Sequence, residues 1–322
     1  FTFPSYLEAI EKSSAYLRSD DYELDKAYWK ERFEAIQDPV FRSKSKKDNY
    51  RTEAVQVTFS QSEQEELRAF CKANRVSLQD FLIGVLAVYY NKINPLNYFD
   101  FNLPTHNRTN RKERSTLGLF TKLIPCRIQL EGQSISALFD QIKANQRQDY
   151  RYKQFPVSHF NKMLEEGGNG SDPFGICVNY RYFRLNTKEN ELNLKGFKND
   201  AAFSKTPIEF SWCDFAENGQ EDLFLEVIFR EAFFAKDEIE LIGNRLKYVI
   251  EQLLTKDWDV KTIRDIEVIP AEEQKQLLED FNQGFYEKTE EKGVGTLNNV
   301  LEAFDSVVSE KPHTTAVVCS GI

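Results

Sequence analysis

The side chains best able to do chemistry lie together between Leu103 and Arg127. The stretch reads Leu-Pro-Thr-His-Asn-Arg-Thr-Asn-Arg-Lys-Glu-Arg-Ser-Thr-Leu-Gly-Leu-Phe-Thr-Lys-Leu-Ile-Pro-Cys-Arg. His106 could exchange a proton near neutral pH. Arg108, Arg111, Lys112 and Arg114 could hold an anion or order polar groups, and Glu113 could neutralise one of them. The segment leaves one apolar run, Tyr98 to Leu103, and re-enters another through Leu117-Gly118-Leu119-Phe120. A loop gripped by the core on both sides carries function more often than the elements it joins. The plainer reading is a solvated charge run, with a lone histidine in it solvated or hydrogen-bonded rather than catalytic.

Elsewhere such chemistry is sparse. The only other histidines are His159 and His313, and the five cysteines, Cys71, Cys126, Cys177, Cys213 and Cys319, are widely spaced. With no Cys-x-x-Cys pair, a zinc site is not expected. An odd number of scattered thiols suits a reducing cytoplasm better than a disulfide framework. The net charge of -9 argues against nucleic acid as a partner. The longest apolar run, Phe81 to Tyr90, is about half of a membrane span. A chain of 322 residues, 41% hydrophobic with 26 Phe and 14 Tyr, can bury a core as one large domain or two ordinary ones. Phe1-Thr2-Phe3-Pro4 reads neither as a start nor as a signal peptide, so the chain is expected to be part of a longer one.

The elements that must position these residues follow from periodicity. Tyr6 to Ala15 and Asp25 to Phe33 read as short helices, the second with Tyr28, Trp29 and Phe33 on one face. Asp38 to Asn49 reads as a loop. Arg51 to Phe59 alternates, with Ala54, Gln56 and Thr58 facing one way and Val55, Val57 and Phe59 the other, and should be a strand with one buried side. Ser62 to Asn74 is a helix with Leu67, Phe70 and Cys71 inward. Ser77 caps a helix from Leu78 to Asn91 that is apolar nearly all round and should lie between layers. After the arginine loop come a strand from Leu123 to Leu130, a helix from Ser134 to Gln148 and a short helix from Val157 to Leu164. Gly167 to Ser171 reads as a loop, with strands at Phe174 to Tyr180 and Glu191 to Phe197. Pro207 to Phe215 and Asp222 to Phe229 form a hairpin around Asn218-Gly219, a strong turn signal. Lys236 to Leu254 is the clearest helix. Ala271 to Phe281 is a short helix, Asn282 to Gly295 a linker, Leu297 to Val308 a helix and Thr315 to Cys319 the start of a strand.

This order resembles the C-terminal lobe of a condensation domain of nonribosomal peptide synthetases, over residues 1 to 282. The family pattern falls on Asn107, Arg108, Glu113, Leu117, Gly118, Phe120, Ile124, Pro125 and Arg127, with Asn107 where many members have Gly. Weaker matches are Lys153-Gln154-Phe155-Pro156, with Lys in place of the family's His, and the strand Phe174 to Tyr180 that carries Asn179. Tyr28-Trp29 with Phe33 is similar to the connection from the N-terminal lobe, placed in residues 1 to 35. After a linker at 283 to 295, residues 296 to 322, with Leu297, Leu301, Phe304 and Ala316-Val317-Val318, look like the start of an adenylation domain.

The resemblance implies an α/β, chloramphenicol-acetyltransferase-like lobe with a mixed sheet flanked by helices. It implies amide formation between a donor acyl or peptidyl thioester and an acceptor aminoacyl thioester. Both would be carried on the phosphopantetheine arms of peptidyl carrier proteins, with no metal or bound cofactor. The family's His-His-x-x-x-Asp-Gly motif is absent from the sequence. The catalytic histidine is therefore expected upstream of Phe1 in a missing N-terminal lobe, leaving the chain inactive alone. Asn107, Arg108, Glu113, Gly118, Phe120, Pro156 and Asn179 are the expected tunnel or motif residues. Arg108 would line the tunnel and order polar groups near the active site, or form an ion pair with Glu113 or another acid. Gly118 would allow close packing, Phe120 is read as core before tunnel wall, and Asn179 would cap a turn or bind a pantetheine amide. Arg111, Lys112 and Arg114 would be solvated, or would face a carrier protein or its phosphate. A degenerate domain serving as a scaffold, and a related small-molecule acyltransferase, are the other readings.

Overall fold

The computed structural model describes residues 3–34, 49–94, 97–166, 174–185, 203–217, 220–280 and 300–313. The expected loop at Asp38 to Asn49 (all but its last residue), the loop at Gly167 to Ser171, the strand at Glu191 to Phe197, the turn residues Asn218-Gly219, the linker and the final strand lie outside them. The chain divides into two compact units, residues 1–268 and 269–322.

In the first unit the helices are α1 (Leu7–Tyr16), α2 (Asp20–Arg32), α3 (Gln61–Ala73), α4 (Leu78–Ile93), α5 (Arg111–Ser115), α6 (Ile135–Arg151), α7 (Val157–Glu166) and α8 (Lys236–Leu253). The strands are β1 (Thr52–Thr58), β2 (Tyr98–Thr105), β3 (Lys122–Gln129), β4 (Ile176–Leu185), β5 (Ile208–Glu217) and β6 (Gln220–Arg230). Helix α2 begins five residues before the sequence expectation, because Asp20, Asp21 and Glu23 fill its first turn, where carboxylates suit the helix dipole.

The six strands form one mixed sheet in the order β1-β6-β5-β4-β2-β3. The β2–β4 and β4–β5 pairs are parallel and the rest antiparallel. The hairpin expected at Asn218-Gly219 appears in the register, which sets Glu217 opposite Gln220. Alternation gives the sheet two unlike faces. One presents Phe101, Val178, Phe210, Trp212, Leu225 and Val227, all buried. Helix α4 packs on it, with Tyr90 stacked on Phe99 at 5.8 Å and edge-on to Phe210 at 6.3 Å. Every residue of α4 from Phe81 to Tyr90 is buried, which explains its lack of a polar face. Gly84 lets α6 approach, since a Cβ there would lie 2.4 Å from the Phe139 ring. The helix starts as the sequence implies, with Ser77 Oγ accepting from the Asp80 N–H.

The opposite face is polar. Asn102, Glu209, Ser211, Glu226, Asp100 and Arg127 fall on it by register. At its β3 end it is met by α2 and α7, where Trp29, Phe33, Phe160 and Phe174 form an aromatic cluster with centroid separations of 5.2 to 6.1 Å. Phe70 is half-buried, edge-on to the buried Phe81 at 5.6 Å and to Trp258 at 5.2 Å.

The second unit contains α9 (Ala271–Lys275), one turn of π-helix at Gln276–Asp280, and α10 (Val300–Glu310). Leu301, Phe304, Val307 and Val308 are exposed on α10. Among the described residues no helix is long and apolar enough to cross a membrane.

Candidate functional site

The segment after β2 folds around Arg108. Its Nη1 donates to the carbonyls of Glu113 and of Thr116, the latter at 2.8 Å, and its Nη2 donates to the Gly118 carbonyl at 3.0 Å. The guanidinium carbon sits 4.1 Å from the Phe120 ring centroid. A planar fork with five N–H donors suits this task, because most carbonyls leaving a one-turn helix lack an intrahelical partner. That turn is α5, started by Asn110, whose Oδ1 accepts from the Glu113 N–H at 2.8 Å. The guanidinium binds backbone carbonyls and not the Glu113 carboxylate, so the Glu113 ion pair considered for Arg108 is not formed.

The Glu113 carboxylate turns elsewhere. It accepts from the Thr109 N–H at 2.6 Å and the Thr109 hydroxyl at 2.8 Å, and it pairs with Lys12 of α1 at 2.9 Å. Burial pulls its pKa up, but the bonds from Lys12 and Thr109 outweigh that and hold it down at about 2. Helix α1 buries none of its own residues, so this loop anchors it. Tyr6 donates to the Leu119 carbonyl at 2.5 Å and meets the Phe120 ring edge-on at 5.3 Å. Gly118 has φ +155°, and a Cβ there would fall 2.3 Å from the Tyr6 ring. Its role is close packing, as expected, against a side chain more than a hundred residues away.

Between α1 and the loop lies a cleft of about 310 Å³, lined among others by Ile10, Asn107, Glu113, Phe120, Lys122 and Gln154. Phe120 is half-buried and lines this cleft, which corrects its reading as core: Arg108 covers one ring face and Tyr6 its edge. Asn107 adopts φ +30°, in the left-handed region that Asn tolerates best after Gly, which accounts for Asn where relatives of the pattern carry Gly. Its Oδ1 is buried without a hydrogen-bond partner.

At the floor, Lys122 donates to the Gln154 carbonyl at 3.0 Å. Burial and the neighbouring Lys153 charge hold Lys122 below the usual lysine range, against the pull of Asp25. Lys153 is 9% exposed, with its ammonium 3.6 Å from the Tyr150 ring centroid. Pro156 starts α7, its carbonyl accepting from the His159 and Phe160 N–H groups at 3.0 Å each. It does not line the cleft.

Asn179 stands on the polar sheet face. Its Nδ2 donates to Glu209 Oε1 at 3.1 Å, and the Ser211 hydroxyl donates to the same oxygen at 2.7 Å. Arg181, one step along that face, pairs with Glu226. Asn179 is thus neither a turn cap nor near the arginine loop's cleft, but part of a polar row across β4, β5 and β6.

Asp149, Arg32 and Asp100 were not singled out by sequence. Asp149 of α6 is 1% exposed, accepts from Tyr28 at 2.5 Å and pairs with Arg32 at 3.1 Å. Arg32 also donates to the Arg127 carbonyl at 2.9 Å. Arg127 forks onto Asp100 at 2.7 and 2.6 Å, between the rings of Phe33 and Tyr98. No local signal marks Arg32 or Asp149, which are 117 residues apart.

The titratable candidates are accounted for as well. His106 is exposed, and His159 Nδ1 lies 3.1 Å from the Tyr22 hydroxyl. Arg111, Lys112 and Arg114 are exposed on α5, with Lys112 paired to Glu8 of α1. Burial raises the thiols of Cys126 and Cys177 well above the usual range and those of Cys71 and Cys213 to about 12, which leaves little thiolate at neutral pH.

Comparison with known proteins gives a consistent picture. A family model described as the condensation domain matches residues 2–278. The chain is 24% identical over 291 residues to surfactin synthase subunit 1 of Bacillus subtilis (strain 168), covering 85% of this chain and 8% of that protein. It is 23% identical over 314 residues to bacitracin synthase 1 of Bacillus licheniformis, covering 94% and 6%. Among solved structures it is similar to the first condensation domain of the CDA synthetase, with TM-score 0.66, 14% identity, and 84% and 59% of the two chains covered. For the starter condensation domain of rhizomide synthetase RzmA the values are 0.64, 17%, 83% and 60%. The chain thus spans under a tenth of those synthases and about three fifths of those solved domains. The fold is the chloramphenicol-acetyltransferase-like one of these domains, and the chain belongs to the condensation-domain family.

Proposed function

We propose that this chain is the C-terminal lobe of a condensation domain in a nonribosomal peptide synthetase, acting in the cytoplasm. The lobe runs through residue 282, and residues 296–322, after a linker, open an adenylation domain. In the intact domain an amine on one carrier protein attacks a thioester on another, forming the amide and releasing the donor's pantetheine thiol. A histidine from the partner lobe orients the amine or accepts its proton. Holding both tethered reactants in one tunnel supplies much of the rate.

This chain would contribute one wall. The polar sheet face suits that role, with Asn179 set by Glu209 so that its amide oxygen is left for a pantetheine or acceptor N–H. The loop built on Arg108 would hold the wall's outer edge in shape rather than touch the reacting atoms.

The observation that carries this reading is the family match over residues 2–278 together with three isolated histidines, one engaged by Tyr22. The test is to incubate the chain with loaded donor and acceptor carrier proteins and follow amide product by mass spectrometry. The chain alone should give none, and the chain fused behind a lobe carrying His-His-x-x-x-Asp-Gly should give product. Turnover by the chain alone would sink the assignment.

A second reading is a scaffold that recruits another protein. It is favoured by the likeness, at TM-score 0.65 and 12% identity, to an X-domain solved in complex with OxyB from teicoplanin biosynthesis. Under it, the fused protein would bind a partner and form no amide.

A further inference from the structure

The cleft between α1 and the Arg108 loop carries polar groups that the fold leaves unused. Asn107 lines it, and the Asn107 Oδ1 is shut off from water and accepts no hydrogen bond. A buried acceptor without a donor costs free energy that an incoming N–H would recover. The terminal torsion of an asparagine is soft, so a small turn brings that oxygen to the cleft. Lys122 lines the same cleft and donates to the Gln154 carbonyl at 3.0 Å, which leaves further donors of its ammonium free. Register sets the two residues at one end of the β2–β3 ladder: Lys122 lies opposite Thr105, and Asn107 follows Thr105 closely in the chain. Among the described residues the side chains of Ser13, Ser14, Thr121 and Gln154, also on the lining, make no hydrogen bond. Lys12 is already neutralised by Glu113. An ammonium that holds one peptide carbonyl, beside an amide oxygen that needs an N–H, is complementary to a secondary amide. That group offers a C=O on one side and an N–H on the other. The cleft encloses about 310 Å³. At roughly 30 Å³ for each water-sized group, it takes on the order of ten non-hydrogen atoms, or about two peptide units.

We propose that this cleft binds a short, uncharged stretch of peptide, with a backbone carbonyl on the Lys122 ammonium and a backbone N–H on the Asn107 amide oxygen. The hydroxyls of Ser13, Ser14 and Thr121 are left for the neighbouring amide. A pantetheine arm also carries amides, but it has nearly twice the non-hydrogen atoms that the space takes. The site is separate from the Asn179 row and does not depend on the condensation reading.

Ligand-detected NMR titration of the 322-residue chain tests this with N-acetylalanine N′-methylamide, with its fully N-methylated analogue, and with pantetheine. The N-methylated compound keeps both carbonyls and loses both N–H groups. It should bind at least about fivefold more weakly, the worth of one hydrogen bond. Asn107→Gly suits the left-handed backbone at φ +30° and removes only the amide. It should weaken the secondary amide by a similar factor and leave the N-methylated compound within about twofold of its wild-type affinity. Lys122→Met should weaken both compounds alike, since both keep the carbonyl. Circular dichroism confirms that each variant is folded, and if Lys122→Met is not, Asn107→Gly carries the comparison. No binding of the secondary amide, equal binding of its N-methylated analogue, or an equal loss for both compounds in Asn107→Gly would overturn the proposal. Pantetheine binding more tightly than the peptide probe would assign the cleft to a carrier arm and overturn it as well.

Discussion

Arg108 covers the Phe120 ring at 4.1 Å while its guanidinium binds the carbonyls of Glu113, Thr116 and Gly118. One side chain thus closes a loop of a dozen residues and shields the aromatic wall of the cleft. Because the contacts need a flat fork, charge alone should not replace it. Arg108→Lys is expected to lose about as much stability as Arg108→Ala, on the order of 1–3 kcal/mol for charge-assisted bonds to carbonyls plus the ring contact. Urea midpoints check this. A lysine variant within about 0.5 kcal/mol of wild type would show that the fork is not what matters.

Gly118 and Tyr6 should behave as one unit. A Cβ at 118 would sit 2.3 Å from the Tyr6 ring, on backbone at φ +155°. Gly118→Ala is expected to push α1 off the loop and destabilise by about 1–3 kcal/mol, the range for forced overpacking. Tyr6→Ala removes the obstacle and also the bond to Leu119. The double variant should therefore cost less than the sum of the singles, with a coupling of at least about 0.5 kcal/mol in a double-mutant cycle. Strict additivity would mean that the ring does not rest there.

Much of the fold is readable from sequence because its signals are local. The apolar run Phe81 to Tyr90 marks α4 as an interlayer helix, Asn218-Gly219 marks the β5–β6 hairpin, and alternation in Arg51 to Phe59 marks β1 as a strand with one side more buried than the other. The arginine loop is identifiable in the same way, since its pattern spans only Asn107 to Arg127. Its workings are not, because the partners come from far along the chain. Lys12 meets Glu113 across 101 residues, and Tyr6 meets Leu119 across 113. Nothing in the neighbourhood of Glu113 distinguishes an acid that answers Arg108 from one that answers Lys12. Likewise Lys153 looks like an ordinary surface lysine, yet the fold leaves it only 9% exposed, against the Tyr150 ring.

Glu113 gives a pH dependence with a definite sign. Its folded pKa, about 2, lies below the unfolded glutamate value of about 4.3. The carboxylate therefore contributes stability that is present above about pH 5 and is lost as the pH falls through 4.3 toward 2. Glu113→Gln should be less stable than wild type at neutral pH, by under about 1 kcal/mol for a partly exposed pair. The gap should close on acidification. Thermal melts of both proteins between neutral and acid pH measure it, and a gap that stays constant or widens toward acid contradicts the Lys12–Glu113 assignment.

The buried carboxylate Asp149 should be the most sensitive single position. It is 1% exposed and takes bonds from Tyr28 and Arg32, with burial pushing its pKa up and Arg32 and Tyr28 opposing that. Asp149→Asn keeps the shape but leaves the half-buried Arg32 without its counter-charge, which should cost about 3–5 kcal/mol. Removing the polar partners together, as Tyr28→Phe, Arg32→Met and Asp149→Leu, should recover a large part of that loss, because no orphaned charge remains and the groups replaced were expensive to desolvate. Recovery should be incomplete, since Arg32 also donates to the Arg127 carbonyl and so ties α2 to the edge strand β3. Chemical denaturation of wild type, Asp149→Asn and the triple variant decides the point. A triple variant less stable than Asp149→Asn would mean that the chain from Tyr28 to Arg127 stabilises the fold outright, beyond fixing the position of α2.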